Sequence, residues 1–257
     1  MDHCIEEPQH VKADPFVQLR LLDLQHLDSA YDRLAHKRKT LPEIAEIARL
    51  DGLLSSLRDD IVMADAAVQD LQRELDKGEA DIEQVRTRKA RDEERLASGA
   101  ITVPKQLEEL QHEVATLVRR QSELEDAELE VMERMEEAQG TLTALSTERD
   151  DLSQSCDEAI SARDVQWSEI DQELATITAD RTALAAELPV DLMALYEKIR
   201  AAEGGVGAGA IERGRCGACH LDLMQNEKAE YRAAAPDEVL RHDECRRILV
   251  RTAESGL

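Results

Sequence analysis

Between Leu50 and Leu75 apolar or small side chains recur in alternating steps of four and three, at positions 50, 54, 57, 61, 64, 68, 71 and 75, and the seam continues through Ile82 and Val85 to Leu96. A mean step of about 3.5 residues keeps such side chains on one slowly winding seam, the pattern of a left-handed coiled coil. A seam this narrow needs a second helix to cover it. The same chain supplies one: after "SGAITVP" (98–104) the pattern resumes at Leu107, Leu110, Val114, Leu117, Leu124, Val131, Met135, Ala138, Leu142, Leu145 and Leu152. The interruption holds a Gly and a Pro, which end one helix and start another. A loop this short makes the two helices antiparallel neighbours.

The sequence therefore predicts a mainly α protein with a long antiparallel coiled-coil hairpin over residues 14–189 and its tip at 98–104. Asp14 caps the first helix, Pro15 occupies its first turn, and Pro189 follows the second arm. Each arm has about 83 residues, about 125 Å of helix. Folding back near Ile101 sets residue i beside residue 202 − i, which places Arg119 and Arg120 near residues 83 and 82. Pro42 interrupts the first arm, and the run Leu152, Cys156, Ile160 contains two successive steps of four, a stutter that unwinds a supercoil locally. Bends are expected near 42 and 160, where the fold-back rule makes the two features face each other. Residues 1–13 read as a flexible tail with an incidental Cys4, and Cys156 as a small core residue. Residues 190–209 read as a short amphipathic helix, with Leu192, Leu195, Tyr196 and Ile199 on one side, followed by a Gly-rich linker. The linker "GGVGAGA" lacks the Gly-Lys-Ser/Thr of a phosphate loop.

Aromatic residues make up only 2% of the chain and charged residues 34%. This is a profile of long helices rather than layered sheets. The formal charge of −24 opposes nonspecific nucleic-acid binding over the whole surface. Residues 201–257 carry 8 Lys plus Arg against 10 Asp plus Glu, while the preceding 200 carry 24 against 46, so the last segment is electrostatically distinct. The N-terminus has no secretion-signal pattern and no run of 18 apolar residues suggests a membrane span, so a cytoplasmic protein without membrane contact is expected. In that reducing compartment clustered thiols bind metal more often than they pair.

"CGACH", Cys216 to His220, fits either covalent haem attachment or half of a zinc site. Beyond it, "HDEC" places His242 and Cys245 three apart, a second ligand turn for which haem has no use. Cys216, Cys219, Cys245 and His242 make the Cys3His set that structural zinc accepts, with His220 the competing imidazole. The sequence thus predicts a zinc ribbon over 210–253, with "AIERGRC", "HLDLM" and "RRILVR" as short strands and the metal supplying much of its stability. A redox dithiol is disfavoured by the lack of a βαβ pattern, and a catalytic zinc by four protein ligands that leave no open position. No second histidine follows "QHEV" and no G-x-S-x-G occurs, so no enzyme is expected and a zinc-dependent hydrolase ranks last.

Through "ADPFVQLRLLDLQHLD", "HKRKTLPE", "SGAITVPKQLEELQHEV", "RRQSELEDAELEVMERMEEAQ", "CGACHLDL" and "CRRILVRT" the chain resembles the bacterial coiled-coil proteins that end in a zinc ribbon of the four-cysteine type, most closely their actinobacterial members. The resemblance implies a helical hairpin with a ribbon at its open end. It also implies roles in nucleic-acid binding or as adaptors touching transcription and, in flagellated bacteria, export components. The chain departs from the pattern at His242, where cysteine is expected, and at Arg246, where glycine usually relaxes the second turn.

The expected function is that of a non-enzymatic adaptor binding a protein partner, with a homodimer compatible with leftover apolar residues. The alternative is nucleic-acid binding through arginines. Candidate contacts are Arg86, Arg88, Lys89 and Arg91 near the tip and Arg213, Arg215, Arg246 and Arg247 in the ribbon, with Arg241 and Arg251 beside them. Few aromatics are available for base stacking, and Asp92, Glu93, Glu94, Asp243 and Glu244 dilute both groups.

Overall fold

The computed structural model describes residues 11–257, so the reading of residues 1–10, Cys4 included, lies outside the described residues. The order of elements is α1 (Pro15–Lys39), α2 (Pro42–Ala97), α3 (Pro104–Glu187), α4 (Val190–Ala202), β1 (Ala208–Glu212), β2 (Arg215–Cys216), α5 (Gln225–Ala233), β3 (Leu240–Arg241) and β4 (Ile248–Val250). The chain divides into two compact units: residues 11–44 with Ser161–Leu257, and Ala45–Ile160.

The second unit is a helical hairpin. Cys156 lies 3.7 Å from Asp51, Arg134 reaches Glu74 and Arg86 reaches Glu125, so one arm descends as the other ascends. Leu71 and Leu75 interlock with Val131, Met135 and Ala138. This interlocking sets the register and shifts it from the 202 − i rule, which would put Cys156 beside residue 46 and Arg86 beside 116. The symmetric rule fails because the fit of apolar side chains along the arms fixes an antiparallel register, and the turn accommodates it.

In the other unit the first helix stops at Lys39 and the next starts with Pro42 in its first turn, where the missing N–H costs no helical bond. Trp167 of α3 donates its indole Nε1–H to the Arg38 carbonyl (3.0 Å), one of the groups a helix end leaves unpaired. The guanidinium groups of Arg38 and Arg163 lie 4.6 and 4.5 Å from the Trp167 ring centroid. Gln166 bonds Glu43, so Pro42 lies opposite the region of 166 rather than 160, and α3 is helical without a break through Ile160. The pairs Arg20 to Glu187, Asp28 to Arg181 and Arg38 to Asp171 run α1 antiparallel to the end of α3.

The core of this unit joins Leu21, Leu24, Leu184, Leu188, Leu192, Tyr196 and Ile199 to Ala208, Ile248 and Val250, so one face of the sheet packs on helices. The sheet has the order β2-β1-β4-β3, with β1 and β4 parallel and the other pairs antiparallel. The C-terminal segment therefore shares a core with α1, α3 and α4 and does not depend on the metal alone. Asp28 is buried under Tyr196 Oη (2.7 Å), Arg181 Nε (2.6 Å) and Arg200 Nε (3.3 Å). The side-chain carbonyl of Gln25 accepts the backbone N–H of Gly207 (2.6 Å), tying α1 to the start of β1.

Two stretches read as loose are packed. Val11 and Ala13 are buried and Lys12 bridges Glu238. Two inward side chains flanking one outward at an isolated β-bridge are too few for periodicity to reveal. The glycines of "GGVGAGA" are there for close approach: an added Cβ at Gly207 would meet the Tyr196 ring at 2.8 Å, and one at Gly209 the Ala218 backbone nitrogen at 2.6 Å. Replacing Gly209 with Ala is expected to push the Cys216–Cys219 turn off β1 and to cost about 1–3 kcal/mol, the usual range for overpacking. Urea unfolding of the variant checks this. A change within about 0.5 kcal/mol, the range of an indifferent surface substitution, contradicts the close packing.

No described helix is long and apolar enough to cross a membrane.

Candidate metal centre

The sheet supports two turns of the same construction. In the first, the Cys216 N–H bonds the Leu221 carbonyl and the His220 N–H bonds the Cys216 carbonyl; in the second, the His242 N–H bonds the Arg247 carbonyl and the Arg246 N–H bonds the His242 carbonyl. The residue after each second ligand, His220 or Arg246, takes a left-handed conformation (φ +65° and +60°). This geometry aims both side chains of a C-x-x-C or H-x-x-C turn at one point. It also explains why glycine suits the position after each turn. Arg246→Gly is expected to stabilise the chain by about 1 kcal/mol by removing the left-handed penalty, seen as a higher urea midpoint at unchanged slope. A lower midpoint would mean that the Arg246 side chain contributes more than its backbone loses.

The ligand atoms of Cys216, Cys219, His242 and Cys245 lie within 4.8 Å of one another and can hold a metal ion. Cys216 Sγ is 3.9 Å from Cys245 Sγ, and His242 Nδ1 is 3.4 Å from Cys219 Sγ and 3.1 Å from Cys245 Sγ. Ligands about 2.0–2.3 Å from a tetrahedral ion stand about 3.3–3.8 Å apart, and these three separations lie close to that range. Cys216 and His242 are fully buried and the other two half-buried. Burial pushes the Cys216 thiol up to about 12, against backbone N–H bonds from Cys219 and Ala218 that favour the thiolate. For Cys219 burial also opposes ionisation, but bonds from the Leu221 amide and the neighbouring thiols, with the positive charge of Arg247, hold it below the usual thiol value.

His242, not His220, completes the set: His220 is exposed and outside the cluster. Cys156 is buried on the hairpin seam, far along the chain from this site.

The arginines are placed differently from one another. Arg86 and Arg88 are ion-paired to Glu125 and Glu113, Lys89 bonds Gln121, and Arg91 lies 3.8 Å from buried Asp92. Arg215 pairs with Asp222. Arg247 donates to the backbone carbonyls of Val206 and Glu203, fastening the second turn to the end of α4. Arg251 donates to the carbonyls of Tyr231, Ala234, Ala235, Pro236 and Glu238, so it stitches the end of α5 to the following loop. Arg213, at φ +51° in the β1 to β2 turn, and Arg246 are exposed and have no ion pair among the described residues.

The sequence reading missed α5 and its Glu227, a carboxylate 3% exposed in the core beside the cluster. The signal was a glutamate three residues after Met224, the spacing of a helix-capping carboxylate, with Tyr231 one turn on. Glu227 Oε2 accepts the Met224 N–H at 2.7 Å, and Oε1 lies 3.3 Å from the Tyr231 hydroxyl, which is nearer to the Arg241 carbonyl at 2.9 Å.

Residues 24–204 match the family model described as "CT398-like coiled coil hairpin domain". The Mycobacterium tuberculosis protein Rv2229c is 41% identical over 241 residues, 94% of this chain and 98% of that protein. A solved structure from Mycobacterium smegmatis superimposes with a TM-score of 0.84 at 38% identity, covering 94% of this chain and all of that one. CT398 from Chlamydia trachomatis, at 19% identity, shares the fold with a TM-score of 0.67 over 92% of this chain and 98% of its own. With the match spanning most of both helical arms, the chain belongs to the family of CT398-like coiled-coil hairpin domain proteins.

Proposed function

We propose that the chain is a non-enzymatic adaptor of the cytoplasm, in which a structural zinc ion closes the Cys3His cluster and the helical hairpin receives a protein partner. The observation that carries this reading is the cluster itself, four protein ligand atoms within 4.8 Å of one another. Four such ligands leave no position for water or substrate. Three thiolates and an imidazole suit zinc best among abundant divalent ions, and a reducing compartment keeps them available. When bound, zinc supplies cross-linking of two distant turns rather than Lewis-acid chemistry. At 1.5 Å of rise per residue the unit Ala45–Ile160 adds paired helices about 80 Å long. Along them Val62, Met63, Leu129 and Met132 are exposed to a partner or a second copy.

The tip arginines support a protein partner over nucleic acid, since Arg86 and Arg88 are already neutralised within the chain. Arg213 and Arg246 favour the second reading, as exposed cations outside any ion pair among the described residues. Mobility shift of RNA and DNA at two salt concentrations decides between them. Absence of a shift at low salt removes nucleic acid; a shift abolished by replacing Arg213 and Arg246 with Glu overturns the adaptor reading. Zinc is checked by elemental analysis of purified protein, where one ion per chain is expected.

A further inference from the structure

The chain has histidine where the four-cysteine pattern has cysteine, and an imidazole differs from a thiolate in one respect that the structure makes visible: it has a second nitrogen to satisfy. His242 Nδ1 faces the sulfurs of Cys219 and Cys245 at 3.4 and 3.1 Å, so Nδ1 is the atom presented to the metal. A neutral ring that ligates through Nδ1 carries its proton on Nε2. That Nε2 is buried and has no hydrogen-bond partner among the described residues. Glu227 Oε1, itself buried, lies 3.8 Å from it.

We propose that Glu227 is the positioning carboxylate of the metal centre, accepting the His242 Nε2–H and thereby fixing Nδ1 on the ion. His242 and Glu227 then act as one unit replacing a single cysteine. The proposal rests on the zinc reading above.

The hydrogen bonding around Glu227 explains why a carboxylate is needed. Oε2 accepts the Met224 N–H at the start of α5 (2.7 Å), and Oε1 faces the Tyr231 hydroxyl (3.3 Å) and His242 Nε2. The Tyr231 hydroxyl is nearer to the Arg241 carbonyl (2.9 Å). It has one proton to give, which leaves a lone pair of Oε1 for the imidazole. Both ends of the side chain must therefore accept. A carboxylate does this, whereas a glutamine that keeps the Met224 bond turns its NH2 toward the Nε2–H, donor against donor. A movement of about 1 Å brings the carboxylate and Nε2 to a hydrogen bond of ordinary length. Carboxylate partners of metal-bound histidines commonly change metal affinity by about 10- to 100-fold.

The same arrangement predicts how cysteine behaves at this position. A thiolate at 242 has no N–H to offer Glu227 and adds a negative charge beside a buried carboxylate, so Glu227 turns from a support into a liability.

The test is a cycle of zinc affinities, measured by competition with a chromophoric chelator on the full chain, for wild type, Glu227→Gln, His242→Cys and the double variant. Glu227→Gln is expected to weaken zinc about 10- to 100-fold in the histidine background and to leave it unchanged or strengthen it in the cysteine background. An equal loss in both backgrounds assigns Glu227 to capping α5 alone and overturns the proposal, as does a loss under about threefold with histidine present. The 15N spectrum of zinc-loaded wild type needs no variant: a metal-bound Nδ1 with a slowly exchanging Nε2–H is expected, and a metal-bound Nε2 overturns it. Wild type that takes up no zinc overturns the metal reading and this one together, whereas stoichiometric zinc with an indifferent Glu227→Gln overturns only the positioning role.

Discussion

Replacing Cys216 with Ser is expected to abolish stoichiometric metal binding and to unfold the two ligand turns together with α5, while leaving the helical hairpin intact. Cys216 is fully buried, lies 3.9 Å from Cys245 and belongs to the small core formed by Ile211, Leu223, Tyr231, Leu240 and Leu249. Structural zinc supplies about 10–16 kcal/mol of apparent binding free energy in zinc-finger peptides, and much of it acts here as folding free energy. The other face of the sheet rests on α1, α3 and α4, so Ile248 and Val250 stay covered. A loss of about 5 kcal/mol or more, comparable to a small domain's whole stability, is therefore expected for the turns and α5. Hydrogen exchange reads this directly: amides from 211 to 247 lose protection and those of α2 do not. Retained protection across the ligand turns would show that the apolar core suffices without the ion. Chelator treatment of the wild type should reproduce the pattern, and so should acidification, because each ligand must give up its proton to bind.

Asp28→Ala carries the second largest expected effect. This carboxylate, 2% exposed, accepts from the Tyr196 hydroxyl and from Arg181 and stands 3.3 Å from Arg200. The consequences appear on its partners. Burial and then the bond to Asp28 raise the Tyr196 phenol far above its ordinary range, and the bond to Asp28 raises the Arg181 guanidinium. Removing one member of a buried ionic network strands the rest at a cost of about 3–5 kcal/mol. Arg181 and Arg200 keep 26% and 22% of their side chains in water. That exposure places the expected loss near the lower end, about 3 kcal/mol. Asp32, paired with Arg200 at the surface, is the control: Asp32→Ala is expected to change stability by about 0.2–1 kcal/mol. Urea unfolding followed by Trp167 emission, from a residue of the same unit, separates the two. Equal effects would mean that burial of Asp28 adds nothing.

How far the fold could be read from the residues depended on the length of each pattern. The heptad seam repeats often enough to fix two arms and a turn, and Cys216, Cys219, His242 and Cys245 stand out because two pairs at the same spacing are rare by chance. The register along the arms was not legible, since it depends on how Leu71 and Leu75 fit between Val131 and Met135. Short elements also escaped. Val11 to Ala13 offers too few residues for alternation, and Gly207 and Gly209 looked like a linker because their purpose lies in contacts with Tyr196 and Ala218 that no local rule reveals. Arginine roles were the least legible. Arg247 and Arg251 read as contacts for a partner or nucleic acid, yet their donors are spent on carbonyls of folded backbone.

The antiparallel bridge of Lys12 to Glu238 sets an order of events during synthesis. Lys12 leaves the ribosome 225 residues before Asp237, the carboxylate its ammonium meets beside that bridge. Leu21 of α1 precedes Ala208 of β1 by 187 residues and Ile248 of β4 by 227. Closing so long a loop from a disordered chain is entropically expensive, and contacts of such separation form late. The intervening hairpin, built from nearer contacts, can form first and shorten the effective span. Until translation reaches Leu184 to Ile199, whose side chains share its core, α1 must remain with its apolar side uncovered, so the nascent chain spends most of its elongation exposing Leu21 and Leu24 to whatever else can bind them, and the sheet completes the cover only once Val250 has emerged.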